Sequence, residues 1–306
     1  MPQRYSETTM VYRDEQSGEL SGLSRVLSIT QDDAHVFCRQ NQIEQEVFAI
    51  WDIIDEFYGV FGFEDLKIRL SRHDPEHFEK YLGTPEIWKN AEDALIKLIE
   101  KRGITEWIDG LGEATLYGPK IDFITKDAIG RTLQVATIQL DFNQPKNFGL
   151  TCTNEKGEKE PVVMIHCAIM GSIERFMSVL IEHYAGAFPF WLAPVQVAIV
   201  PVSEAHEEYA RQILEKIKST NPAETGGAQI RTELFLADDS LGKRIREAKV
   251  QKIPYTLIIG DKEIAASASD NSKLTATLES RDAGNLGALS VEEIIAKFKK
   301  ETEEKR

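Results

Sequence analysis

The sequence predicts an α+β protein of two unlike parts: an antiparallel sheet with helices packed against it over residues 1–192, then a small α/β domain over residues 193–306. Three observations carry this. Of the 306 residues, 42% are hydrophobic, enough to bury two cores or one large one. Charge is uneven, because residues 192–306 hold 17 basic and 19 acidic side chains and the remainder carries −12 of the net −14. The hydrophobic period also changes at Trp191-Leu192-Ala193-Pro194, where an aromatic, helix-like stretch from Phe176 stops and Pro194 precedes an apolar strand pattern.

In the first part, Tyr5–Asp14 alternates like a strand, residues 16–22 are turn-rich, and Leu23–Thr30 forms a second strand pattern. This is a long hairpin with Arg13 and Arg25 flanking its loop. After residues 31–35, an amphipathic helix over Gln42–Tyr58 turns Ile43, Val47, Ile50, Ile54 and Phe57 inward. Lys67–Ser71 is a short strand, Arg72–Gly83 a polar loop, and Pro85–Arg102 a helix with Ile87, Trp88, Ala91, Leu95 and Leu98 inward. Gly118–Ile124 and Gly130–Asp141 follow as strands joined by a turn at Ala128–Gly130, then a strand over Pro161–His166 and a helix opened by Gly171-Ser172. Hairpins dominate, hence the antiparallel sheet.

The second part alternates: strand 195–202, helix Glu204–Ser219, strand 230–237, helix Leu241–Val250, strand 254–260, strand 274–280 and a final helix from Val291. A largely parallel open sheet is expected, with Gly260-Asp261-Lys262 as a tight turn and Ser267–Lys273 as a hairpin tip. Lys243, Arg244, Arg246, Lys249 and Lys252 form a basic cluster spread over more than one helical face, which reads equally as solvated surface or RNA contact.

The acidic balance excludes a polybasic nucleic-acid or membrane coat. No apolar run approaches a membrane span and the N-terminus has no signal-peptide core, so a cytoplasmic protein is expected. Cys38, Cys152 and Cys167 make neither a disulfide framework nor a cysteine-rich zinc site.

Arg13, Arg25 and Arg175 stand beside strand or helix starts in an acidic domain, where guanidinium forks suit a phosphate or carboxylate. The alternative is internal pairing with Glu15, Glu19 or Glu174. His35 and His166 each end a strand-like run; a catalytic zinc wants three protein ligands, and the other role for such histidines is structural. Tyr117-Gly118-Pro119-Lys120 is a turn that projects a hydroxyl and an ammonium. Gln134 and Gln139, an odd number of residues apart, point to opposite sheet faces unless a bulge intervenes. Neither a Walker A loop nor GxGxxG is present, so any ATP is bound otherwise.

The strings Tyr12-Arg13-Asp14-Glu15, Gly22-Leu23-Ser24-Arg25, Thr30-Gln31-Asp32-Asp33-Ala34-His35, Tyr117-Gly118-Pro119-Lys120, Thr137-Ile138-Gln139-Leu140-Asp141-Phe142, Met164-Ile165-His166 and Gly171-Ser172-Ile173-Glu174-Arg175 resemble, in order, the threonyl-tRNA synthetases. The resemblance continues through Trp191–Pro194 to Gly260-Asp261-Lys262-Glu263. It implies a class II synthetase catalytic domain over 1–192 and an anticodon-binding α/β domain over 193–306. It implies ATP with Mg²⁺, threonine and a threonine tRNA as substrates. Arg13, Arg25 and Arg175 would be catalytic and, with Glu15 and Gln134, would bind ATP. Gln31, Asp33, Tyr117, Lys120, Gln139 and Ser172 would line the amino-acid pocket, with Asp33 accepting the threonine hydroxyl. His35 and His166 would bind Zn²⁺, which reads that hydroxyl against valine.

Several departures accompany the match. The family's third zinc ligand, an upstream cysteine, and its first, dimer-forming motif are not in this sequence, nor is the amino-terminal editing domain. Leu27 and Cys167 stand where arginine is common, and Val135 where cysteine is. Ala237–Ser240 and Glu279 fall in stretches that are usually more basic. Two readings follow: a threonine-tRNA ligase, or a fragment or paralogue that keeps the fold and tRNA binding without activating threonine.

Overall fold

A computed structural model describes every residue except Glu64, Ala128, Ile129, those numbered 221–228 and 270–272, and Arg306. The chain divides into two compact units, Met1–His183 and Tyr184–Arg306.

The first unit is built on β1 (Gln3–Tyr12), β2 (Ser28–Cys38), α1 (Ile43–Val60), β3 (Lys67–Arg72), α2 (Pro85–Lys101), β4 (Ile108–Leu111), β5 (Lys120–Lys126), β6 (Thr132–Asp141), α3 (Asn143–Asn147), β7 (Thr151–Thr153), β8 (Lys159–Pro161), β9 (Val163–Ala168) and α4 (Ile173–His183). Seven strands form one sheet in the order β1-β2-β9-β6-β5-β3-β4, antiparallel apart from β3–β4, while β7 and β8 make a separate ribbon. Strand alternation splits this sheet into a polar and an apolar face. Leu70, Ile121, Phe123, Ile138, Leu140 and Ile165 are all fully buried, and Trp51 of α1 meets Phe123 edge-on at 5.0 Å. The helices cover this apolar face, so the polar face is left for chemistry.

The second strand differs from expectation. It runs from Ser28 to Cys38 rather than from Leu23 to Thr30, because β1 and β9 pair with it on both sides and carry Gln31–His35 into the sheet despite their polarity. On α1, Tyr58 is buried and Phe57 only half-buried. The Tyr58 hydroxyl lies 2.9 Å from both Val135 O and Ile169 O. Val135 is the extra residue of a bulge, since Phe123 pairs with Ala136 and Ile124 with Gln134. The expected turn at Ala128–Gly130 lies largely outside the described residues.

The second unit holds β10 (Val197–Pro201), α5 (Glu207–Lys218), β11 (Thr232–Leu234), α6 (Leu241–Val250), β12 (Tyr255–Ile259), α7 (Asp261–Ser269), β13 (Thr275–Ser280), β14 (Gly284–Ser290) and α8 (Val291–Glu303). Its five-stranded sheet, β11-β10-β12-β13-β14, is parallel across the first three strands and antiparallel across the last two, so it is mixed rather than largely parallel. Val197, Ile199 and Leu257 pack with Ile213 of α5 and Phe298 of α8, while Ala198 and Val200 face Ala248 of α6. Gly260-Asp261-Lys262 is no tight turn but the start of α7, where Glu263 reaches back to accept the Gly260 N–H at 2.9 Å. Ser267–Ser269 end that helix, and residues 270–272 of the expected hairpin tip lie outside the described residues.

The basic cluster of α6 is also not uniform. Arg244 is buried and donates to the carbonyls of Pro201 (2.6 Å), Asp239 (3.0 Å), Phe235 (3.2 Å) and Val202 (3.3 Å). It is a clamp on the carboxyl ends of β10 and β11, not a nucleic-acid contact.

Candidate active site

Arg13, Glu15, Arg25, Gln134, Ser172 and Arg175 line one cleft of about 190 Å³ at the β2–α4 end of the first unit, and Gln31 joins them. Arg13 and Arg25 lie on the loop between β1 and β2, and Arg175 on the first turn of α4. That turn is tied to β2 from both sides. Glu174 accepts the Thr30 N–H (3.0 and 3.1 Å) and the Ser172 hydroxyl (2.8 Å), while Asp32 accepts the N–H groups of Ile169 (2.7 Å), Met170 (2.9 Å) and Gly171 (2.5 Å).

The alternative of internal pairing applies to one arginine of the three. Arg25 bonds Glu15 through Nη2 (2.8 Å) and Nε (3.2 Å) and approaches Glu19 at 3.1 Å, an exposed pair of small worth. Among the described residues Arg175 spends only Nε, on Ser24 O at 3.0 Å, because Glu174 is committed to β2. Arg13 makes no side-chain hydrogen bond or ion pair among the described residues. Desolvation first, then the charges of Arg13 and Arg25, pull the Arg175 guanidinium below its ordinary value, with Glu15 opposing. A half-buried cation repelled by two others suits the binding of an anion.

The rest of the polar face continues from this cleft. Register sets His35 opposite His166 and His166 opposite Gln139, with Lys120 opposite Gln139 in turn. The bulge at Val135 brings Gln134 onto this same face: its Oε1 lies 3.2 Å from Arg69 Nη2 and 3.4 Å from Lys120 Nζ, so the two glutamines do not point to opposite sides. Lys120 also pairs at 2.7 Å with Asp122, a fully buried carboxylate that accepts from Ser71 (2.7 Å), Thr137 (2.9 Å) and Arg69 (3.0 Å).

Gln139 is buried and donates to Gly118 O at 3.2 Å and to Thr115 Oγ1. Gly118 is required by closeness, for a Cβ there would lie 1.9 Å from Leu140 O. This approach sets Tyr117 against His166, with ring centroids 5.2 Å apart. Desolvation first, then Asp141 and Asp33, push the Tyr117 hydroxyl above its ordinary range. Asp33 makes no side-chain hydrogen bond among the described residues. Asp32, Asp122, Asp141 and Gly118 escaped the sequence reading. Apart from Lys120 beside Asp122, Thr115 beside Gly118 and the two amides just after Asp141, their partners lie 15 or more residues away in sequence, and only the Asp-Asp and Gly-Pro pairs marked their neighbourhoods.

For zinc, His35 and His166 lie with ring centroids 4.7 Å apart, and His166 Nε2 is 3.0 Å from Asp141 Oδ2. No group of three or more His, Cys, Asp or Glu side chains that would hold a metal ion is gathered among the described residues. Cys38 and Cys167 are buried, and Cys167, next to His166, faces the other side of the sheet. The described residues do not complete a zinc site.

Comparison with known proteins places this geometry. The family model described as the tRNA synthetase class II core domain (G, H, P, S and T) matches residues 1–184, and that of the anticodon binding domain matches residues 196–301. The threonine–tRNA ligase of Prosthecochloris aestuarii is 42% identical over 305 residues, covering 100% of this chain and 44% of the relative. That of Rubrobacter xylanophilus is 47% identical over 263 residues, covering 86% and 40%. This chain thus spans less than half the length of these curated relatives. Among solved structures, the RNA binding domain of threonyl-tRNA synthetase from Cryptosporidium parvum superposes with a TM-score of 0.84 at 35% identity, covering 98% of this chain and 70% of that one. A putative threonyl-tRNA synthetase from Aeropyrum pernix gives 0.77 at 28% identity, covering 100% and 69%.

Proposed function

The chain belongs to the threonyl-tRNA synthetase family of class II tRNA synthetases, and from that premise we propose that it joins threonine to tRNA through an adenylate, residues 1–192 carrying the chemistry and residues 193–306 the anticodon contacts. The observation that carries this reading is the convergence of Arg13, Arg25 and Arg175 on one cleft where Arg175 is electrostatically unsatisfied.

In the proposed reaction ATP enters as its magnesium complex. A carboxylate oxygen of threonine attacks the α-phosphorus, the bond to the bridging oxygen breaks, and pyrophosphate leaves. Arg13 would meet the α-phosphate and the carboxylate, Arg25 and Arg175 the departing phosphates, with Glu15 and Gln134 beside them. Fixed guanidinium donors match the charge that builds on the phosphoryl oxygens and need no reorganisation as it builds. A ribose hydroxyl of the tRNA end then attacks the carbonyl carbon and releases AMP.

Gln31, Asp33, Tyr117, Lys120, Gln139 and Ser172 would hold the amino acid. The free carboxylate of Asp33 supports its role as acceptor of the threonine hydroxyl. Lys120 and Gln139 are already bonded internally, which supports their shaping the pocket rather than contacting threonine first. Among the described residues no helix is long and apolar enough to cross a membrane, and a cytoplasmic enzyme is part of the proposal; a homodimer is the usual state in the family.

A second reading, tRNA binding without threonine activation, is favoured by the two-histidine donor set found among the described residues. Threonine-dependent exchange of pyrophosphate into ATP decides between them. The unaltered chain is expected to exchange and Arg175→Ala to lose two or more orders of magnitude. Equal exchange by both would refute the assignment of Arg175, and none by the unaltered chain would favour the second reading.

A further inference from the structure

A buried carboxylate outside the expected site residues controls an atom within the site. Asp141 ends β6 with its side chain fully buried. Its Oδ1 accepts the backbone N–H groups of Asn143 (2.8 Å) and Gln144 (2.9 Å) at the start of α3, and its Oδ2 lies 3.0 Å from His166 Nε2. A carboxylate offers only acceptors, so the contact to His166 has one arrangement: Nε2 carries the proton and donates it. A neutral imidazole then keeps its lone pair on Nδ1.

Among the described residues nothing else uses that lone pair, for His166 Nδ1 makes no hydrogen bond there. The ring cannot swing freely either, being held edge-on to His35 at 4.7 Å and tilted 50° to Tyr117 at 5.2 Å. Asn143 secures the Tyr117 side of this arrangement by donating from Nδ2 to Tyr117 O at 2.9 Å.

We infer that Asp141 is a positioning residue that fixes His166 in the Nε2–H tautomer and so presents the Nδ1 lone pair to an electron-pair acceptor. That acceptor is an N–H or O–H of the amino acid. The ligand side of this inference rests on the proposed amino-acid site, but the tautomer does not. Asp141→Asn separates the roles of the carboxylate. Its amide oxygen keeps the two backbone N–H groups, which leaves its NH₂ facing Nε2; the ring must then accept at Nε2 and carry its proton on Nδ1.

The test is the nitrogen spectrum of histidine-labelled full chain, with the His166 signals assigned by their loss in His166→Gln. The unaltered chain is expected to show Nε2–H and Asp141→Asn the inverted form. Threonine activation should weaken by about 10- to 100-fold, through KM for threonine and not KM for ATP. A Nδ1–H ring in the unaltered chain overturns the inference, and does so whether or not Asp141→Asn folds. So does a folded Asp141→Asn that keeps Nε2–H. Threonine added to the unaltered chain is expected to move the Nδ1 signal; no movement at saturating threonine overturns the presentation of that atom. A tautomer switch in a chain that never activates threonine would refute the proposed function and leave this inference standing.

Discussion

Gly118→Ala tests how tightly the Tyr117 loop must seat. The new methyl carbon would start 1.9 Å from Leu140 O, whereas non-bonded contacts settle near about 3.5 Å, so the loop must retreat by on the order of 1.5 Å. That retreat breaks the Gln139-to-Gly118 bond (3.2 Å) and the Leu140 N–H to Pro119 O bond (3.2 Å). Two bonds at about 0.5–1.5 kcal/mol each, added to an overpacking cost of about 1–3, give a loss of about 2–6 kcal/mol. Tryptophan fluorescence in urea reads this well, since Trp51 and Trp88 are buried in the first unit. With a slope of about 1–3 kcal/mol per molar urea, the midpoint should fall by about 1 M or more. Threonine activation should fall further, because a misplacement of about 1 Å near reacting groups costs about 10²-fold. An unchanged midpoint together with unchanged activation would refute the steric reasoning.

Other expectations follow from burial and charge. Burial pushes the thiols of Cys38 and Cys167 up to about 12, so at pH 8 only about one molecule in 10⁴ is a thiolate at either site. Iodoacetamide should therefore label the native chain once, at half-buried Cys152, and the urea-unfolded chain three times; any residual native labelling of the other two should quicken about tenfold per pH unit, because pH approaches their pKa from below. Three rapid labels on the native chain would contradict the burial. Arg244→Met leaves four carbonyls without their donor at a cost of about 3–5 kcal/mol, visible in the full chain as amide exchange in β10 and β11 faster by two or more orders of magnitude. Unchanged exchange would mean that water replaces the guanidinium. Zinc should be substoichiometric in the purified chain by mass spectrometry, and one chelator-resistant ion per chain would reveal a third ligand not gathered here.

What was legible in the sequence followed from local periodicity. The helix expected over Leu241–Val250 spans those residues, and the one expected over Pro85–Arg102 ends one residue earlier, at Lys101; the structure adds their caps, Ser240 and Thr84. The polar stretch Gln31–His35 hid a strand, because a site-bearing strand shows polar residues on the very face that function needs. Gly260 read as a turn, because a helix cap and a turn use the same residue types. The arginines and histidines of the site were named through motif resemblance. The contacts that fix them, Glu174 to Thr30 and Asp32 to the 169–171 amides, join residues more than 130 positions apart, and no periodicity reports such pairs.

The bulge at Val135 also makes the site depend on a count. Between Gln134 and Gln139 the chain holds one residue more than strict alternation allows, and that surplus is what lets both amides serve a single surface. Removing one residue there would restore even parity and regular alternation, so Gln134 would stay on the polar face without any bulge. Smoothing the bulge out at unchanged length would instead send Gln134 to the helix side, along with every position upstream in β6. It would also withdraw the carbonyl that anchors Tyr58. Substitution alters what the site touches; loss of the bulge would turn half a strand inside out.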